Sequence, residues 1–126
     1  MISSEEYLKE KHAVIEHDYI ENGYPANCVV FALEIANILL AEGKKPEIFT
    51  IEKGIFSRKL NPIQYKGKVR WNRQNVCCAE GFAYDPVIGK PVYVEDYSLI
   101  MFGRKFEMKR NEKMEKYIGY HRGICA

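Results

Sequence analysis

"NGYPANCVVFALEIANILLAEG", residues 22–43, decides how this chain is read. Asn22-Gly23 favours a turn, and Pro25 disfavours helix at Tyr24. Asn27 is a good N-cap, which makes Cys28 the first helical residue. From Val29 to Leu40 the apolar side chains point in every direction, interrupted by Glu34 and Asn37. A helix that is apolar all round belongs inside a domain. Gly43 suits the C′ position, and Lys44 and Lys45 lie near the negative end of the helix dipole. The stretch therefore predicts a buried central helix that opens on a cysteine.

Upstream, Ser3 and Glu6 have the spacing of a capping box, and Tyr7, Leu8, Val14 and Ile15 form a rough stripe. Residues 4 to 20 read as a first helix. Downstream of Pro46 the period changes. "EIFTIEKG" has strand composition through Ile48, Phe49, Thr50 and Ile51 and ends at Gly54. A polar, irregular segment follows, with a turn at Asn61-Pro62. Residues 70–103 then read as strand, turn, strand, turn, strand. Glu80-Gly81 is the first of those turns, Phe82 to Asp85 a short strand, and Pro86 its end. Asp96 opens a helical turn over Tyr97 to Met101. Phe106 to Tyr117 reads as a terminal helix of low amphipathicity. Helices segregated from consecutive strands indicate an α+β domain, with the central helix packed on an antiparallel sheet.

Composition bounds the function. At 126 residues the chain is expected to form a single domain, 1–126, large enough to bury a core. A net charge of +2 argues against nucleic-acid binding, and the basic tail alternates Lys/Arg with Glu like a solvated helical face. The charged start predicts no secretory signal, and the apolar stretch is too short to cross a bilayer. A cytoplasmic protein with reduced thiols is the expectation. The cysteines at 28, 77, 78 and 125 contain no CxxC pair, and His12 and His17 are spaced i,i+5. No metal and no cofactor is expected. Cys77 and Cys78 should point to opposite faces of their strand.

A thiolate in the first turn of a helix is stabilised by unpaired N–H groups and the dipole, the arrangement that makes a cysteine nucleophilic. Free cysteine is also among the most buried residue types, so by position alone Cys28 reads as a core residue before it reads as a nucleophile. "WNRQNVCCAEGFAYDPVIGKPVYVEDY", residues 71–97, separates the two readings. Taken with the Cys28 helix, it resembles the papain-like cysteine peptidase superfamily in its small bacterial and transglutaminase-like forms. The resemblance covers residues 22 to 102 and rests on order and local pattern. It implies a papain-like fold, with Cys28 as nucleophile and Asp85, in "YDP", as the orienting acid. Asn22, six residues before Cys28, matches the position of an amide that donates to the oxyanion; the alternative is a turn residue before Gly23.

The family's histidine falls at Gln74 in this chain, flanked by Arg73 and Asn75. A glutamine can orient a neighbour but cannot accept a proton at neutral pH. His17 and His121 serve as bases only if the fold carries them to Cys28; otherwise they are surface residues. Two functions follow. One is a papain-like thiol hydrolase of peptidase, amidase or deamidase type, acting on a protein or peptide substrate. The other is a non-catalytic papain-like protein that binds another protein, as an immunity or inhibitor protein does.

Overall fold

The computed structural model describes residues 2–22, 28–52, 60–65 and 71–119. Within them the chain is α+β. Helices α1 (Ser4–Asn22) and α2 (Cys28–Ala41) precede strand β1 (Glu47–Glu52). A 3-10 turn at Ile63–Tyr65 follows, then β2 (Arg73–Ala79), β3 (Phe82–Asp85) and β4 (Lys90–Tyr93). Helix α3 (Val94–Phe102), strand β5 (Lys109–Arg110) and helix α4 (Glu112–Glu115) complete the order. The strands form one antiparallel sheet in the order β4-β3-β2-β1-β5.

The central helix is placed by burial. Ile35, Ala36 and Leu39 of α2 are fully buried and pack with Ile48, Cys77 and Tyr84 of the sheet. The other face of the sheet carries Ile51, Val76, Cys78 and Ala83, packed with Tyr97, Met101 and Phe102 of α3. Strand alternation thus sends Cys77 toward α2 and Cys78 toward α3. Both thiols are buried and free. Desolvation pushes Cys77 well above the ordinary thiol value and Cys78 up to about 12.

Helix ends follow the expected chemistry. Glu6 N–H donates to Ser3 Oγ (3.1 Å), and the Ser3 hydroxyl reaches Glu6 Oε1 (3.3 Å). At the end of α2, Lys44 N–H donates to Leu39 O (2.9 Å) and Gly43 N–H to Leu40 O (3.0 Å). Those two bonds, with Gly43 at φ +81°, make a Schellman motif. Helix α3 stops in the simpler αL motif at Gly103 (φ +72°), whose N–H donates to Leu99 O. Among the described residues, no helix is long and apolar enough to cross a membrane.

Four expectations are corrected. Helix α1 runs on to Asn22, so Asn22 has helical backbone and is not a turn residue. Val14 is exposed, while Ile15 is buried. Helix α3 opens at Val94, directly from β4, and not at Asp96. The helix expected over 106–117 is instead β5 followed by the four-residue α4. Pairing of Phe49 with Arg110 and Thr50 with Lys109 claims the start of that segment for the sheet edge. Arg110 also pairs with Glu47 (2.6 Å) and Glu115 (2.7 Å), clamping the turn between them. Asn27, Gly54, His121 and Cys125 lie outside the described residues.

The burial contrast along α2 predicts two different responses in urea unfolding. Ile35→Ala should lose about 2–5 kcal/mol, the range for truncating a buried aliphatic side chain. Leu40→Ala, at a position 40% exposed, should lose under about 1 kcal/mol.

Candidate functional site

Cys28 opens α2 and is half-buried. The start of β2 packs beneath it. Asn75 Nδ2 lies 3.6 Å from Cys28 Sγ, within reach of a donor to sulfur. Asn75 shares its face of β2 with Cys77, the face toward α2, while Gln74 shares the opposite face with Val76 and Cys78. The side chain against the sulfur is therefore one residue later than the position counted for the family's histidine. A one-residue step exchanges the two faces of a strand.

Gln74 is engaged elsewhere. Its Nε2 donates to Asp85 Oδ2 (2.7 Å) and to the Tyr97 hydroxyl (3.3 Å). The Tyr97 hydroxyl donates to the same Asp85 oxygen, and Val87 N–H donates to Asp85 Oδ1 (2.9 Å). Asp85 is 4% exposed, and all three donors are neutral. Burial pushes its carboxyl above the ordinary value, and the hydrogen bonds from Tyr97, Val87 and Gln74 work against that push. Burial, and then the facing Asp85, hold Tyr97 well above the ordinary phenol value, so it stays a donor. Gln74 Oε1 is buried without a hydrogen-bond partner among the described residues.

The structure thus brings Gln74 and Asp85 into contact, and it seats Cys28 on Asn75. Cys28, Phe31, Gln74, Asn75, Asp85 and Val87 line one crevice of about 10 Å³, room for a single water. Asn22 ends α1, and its side chain lies outside what is described. His17 is exposed on α1. His12, also on α1, lies near the site. Its Nδ1 is 3.1 Å from both the Pro86 and the Val87 carbonyl oxygens, and its ring packs on Gly89 in the turn after Asp85. Both carbonyls are acceptors, so Nδ1 carries the hydrogen and the ring serves as a latch on the β3–β4 turn.

Asn75 itself is held from behind. The Thr50 hydroxyl donates to Asn75 Oδ1 (2.7 Å), and Asn111 Nδ2 donates to Thr50 Oγ1 (2.9 Å). Thr50 and Asn75 are cross-strand partners on β1 and β2. On the far side of Asn75 a groove of about 500 Å³ opens between α2, β2 and α4, with Val29, Val30, Leu33 and Met114 along it. Sequence reasoning missed Asn75, Thr50, Asn111 and Tyr97. A signal existed for Asn75, since it neighbours the counted position on an alternating strand. None existed for Asn111, whose partner is 61 residues away. Comparisons with protein-family models, with characterised proteins and with solved structures gave no match to the chain.

The raised Asp85 carboxyl has a defined pH signature. Between the unfolded carboxylate value, about 3.9, and its own higher value, the folded state keeps a proton that the unfolded chain has lost. Stability should fall as pH rises through that window and level off above it. Asp85→Asn should lack this contribution. Urea unfolding of both proteins from pH 3 to pH 8 should show wild type losing ground to the variant by up to about 1.4 kcal/mol per pH unit within the window.

Proposed function

We propose that this chain is a papain-like protein that has kept its nucleophile position and lost its proton acceptor, and that it binds a protein or peptide segment at Cys28 without hydrolysing it. One observation carries the reading: among the described residues, the polar group against Cys28 Sγ is the neutral amide of Asn75. An amide can donate to sulfur or to a carbonyl oxygen, but it takes up no proton at neutral pH. Acyl transfer by a thiol needs a group that removes the thiol proton and returns it to the leaving group. Gln74, at the counted histidine position, is committed to Asp85 and is also an amide. The acid keeps its place at the end of β3, yet it holds no base toward the sulfur.

The papain-like architecture is part of the same proposal. Its support is the order of elements: a helix that begins on a cysteine and buries one face against the sheet while Val29, Val30 and Leu40 stay exposed, then an antiparallel sheet with an aspartate closing its third strand. A cytoplasmic setting agrees with three free thiols at 28, 77 and 78. An immunity or inhibitor protein is the kind of binder this site suits.

The hydrolase reading retains one observation of its own, the half-buried Cys28 at a helix N-terminus beside an open groove. Turnover separates the two. Wild type should cleave activated esters and peptide anilides no faster than Cys28→Ser. Turnover dependent on Cys28 would replace the binding reading with the hydrolase one. Asn75→His, which sets an imidazole against the sulfur, should raise esterolysis at least about tenfold, the low end of what a positioned base supplies. Gln74→His, aimed at Asp85, should leave it unchanged. Peptide mapping after iodoacetamide treatment of the native protein should find Cys28 alkylated and Cys77 and Cys78 protected, as their burial requires.

A further inference from the structure

The groove between α2, β2 and α4, about 500 Å³, has two kinds of wall. Val29, Val30, Leu33 and Met114 make one side apolar. Leu33 and Met114 are buried, while Val29 and Val30 are exposed, so covering them removes apolar surface from water. The other side offers hydrogen-bond donors. Met114 N–H donates to Asn111 Oδ1 (3.0 Å), and a backbone N–H can only donate. That turns Asn111 Nδ2 toward Thr50 Oγ1 (2.9 Å), and the Thr50 hydroxyl then donates to Asn75 Oδ1 (2.7 Å). Both amides meet the same hydroxyl oxygen, so they stand side by side. Asn75 Nδ2 gives one proton toward Cys28 Sγ (3.6 Å). An amide nitrogen carries two protons, so Asn75 and Asn111 each keep one without an acceptor among the described residues. Asn75 is 7% exposed, and a donor so far removed from water gains most from an acceptor.

Charge selects the acceptor. Arg73 lies two residues before Asn75 on the same face of β2, and Lys113 lies two residues after Asn111. Arg73 pairs with Glu52 (3.0 Å), whereas Lys113 meets no carboxylate among the described residues. The acid among the described lining residues is Glu34. It accepts from the Tyr7 hydroxyl (2.8 Å), and it lies six residues past Cys28, about 9 Å along the helix axis from the end that stands over Asn75. Around the two amides the groove therefore offers donors and positive charge. A peptide fits this poorly, because each of its N–H groups needs an acceptor. An ionised carboxylate only accepts, and it has two oxygens. One can take the Asn75 proton and the other the Asn111 proton, with Lys113 as counter-charge. Hydrogen bonds to an ionised acceptor are roughly twice as strong as neutral ones.

We infer that this groove binds an aliphatic monocarboxylate, a short fatty acid, with its head group on Asn75, Asn111 and Lys113 and its chain against Val29, Val30, Leu33 and Met114. The inference does not rest on the Cys28 reading, since Cys28 is not among the groove's lining residues. The volume is ample for a chain of about eight carbons.

Octanoate is the probe, titrated near pH 7 into nitrogen-15-labelled protein and followed by NMR. It should shift the Asn75 and Asn111 side-chain amide resonances. Acetate has the head without the chain, and 1-octanol the chain without the charge. Each should bind at least about tenfold more weakly than octanoate, as should the capped dipeptide acetyl-Val-Val amide. Hexanoate, two methylenes shorter, should be weaker by about tenfold. Lys113 is exposed, so Lys113→Glu should fold as wild type does. It should weaken octanoate by about fivefold and leave 1-octanol within about twofold. Asn75 and Asn111 amide resonances that stay in place overturn the inference. So do 1-octanol or the dipeptide binding as tightly as octanoate, hexanoate matching it, or octanoate affinity unchanged in Lys113→Glu.

Discussion

The burial of α2 against the sheet is the constraint on which the other features depend. Ile35, Ala36 and Leu39 are removed completely from solvent, and a fully buried aliphatic side chain is worth about 1.5–3 kcal/mol. A helix pinned along its middle cannot slide, so its first residue is delivered to a fixed point on β2. The Schellman turn at Gly43 secures the other end and brings the chain round into β1. Helix α1 is tied to the same turn, since Ser4 N–H donates to Glu42 Oε2 (2.9 Å). Cys28 stands over Asn75 because the apolar residues behind it leave α2 no other position.

Two polar systems occupy the start of β2, one on each face. Toward α2, the line from Asn111 through Thr50 to Asn75 ends at sulfur and borders a groove. Toward α3, Gln74, Asp85 and Tyr97 close on one another in the buried interior. The first joins neutral groups and leaves donors over. The second contains a carboxylate that burial disfavours as an anion, plus a Gln74 amide oxygen with no partner among the described residues. A buried polar group without a partner costs about 1–3 kcal/mol. The interior system thus spends stability on a fixed turn after β3, and the groove-side system uses neutral groups to fix the amide against the sulfur.

Much of this fold was legible in the chain, for identifiable reasons. The α2 boundaries followed from all-round apolarity and from Gly43. Strands β2 to β4 followed from the turn residues between them, Pro86 and Glu80-Gly81, the latter two both at positive φ. The tail was not legible. Strand β5 is two residues long and exists because β1 offers an edge 60 residues earlier, a partnership invisible in local pattern. At the site, the pairing of Gln74 with Asp85 was within reach of counting, but the choice between Gln74 and Asn75 at the sulfur was not. That choice depends on which strand face the helix covers. Tyr97 escaped notice because its hydroxyl matters only once α3 is folded onto the sheet.

The latch between α1 and the turn after Asp85 has a consequence for how this chain can vary. Gly89 sits at φ +88°, and a methyl group there would come within 2.8 Å of the His12 ring. The same ring meets the Pro86 and Val87 carbonyls, next to the backbone N–H that holds the carboxylate. Position 89 is therefore held to glycine twice over, by a left-handed backbone that side chains rarely adopt and by the ring that fills the space where a side chain would begin. Removing the imidazole lifts only the second restraint, and it loosens the turn that carries the acid.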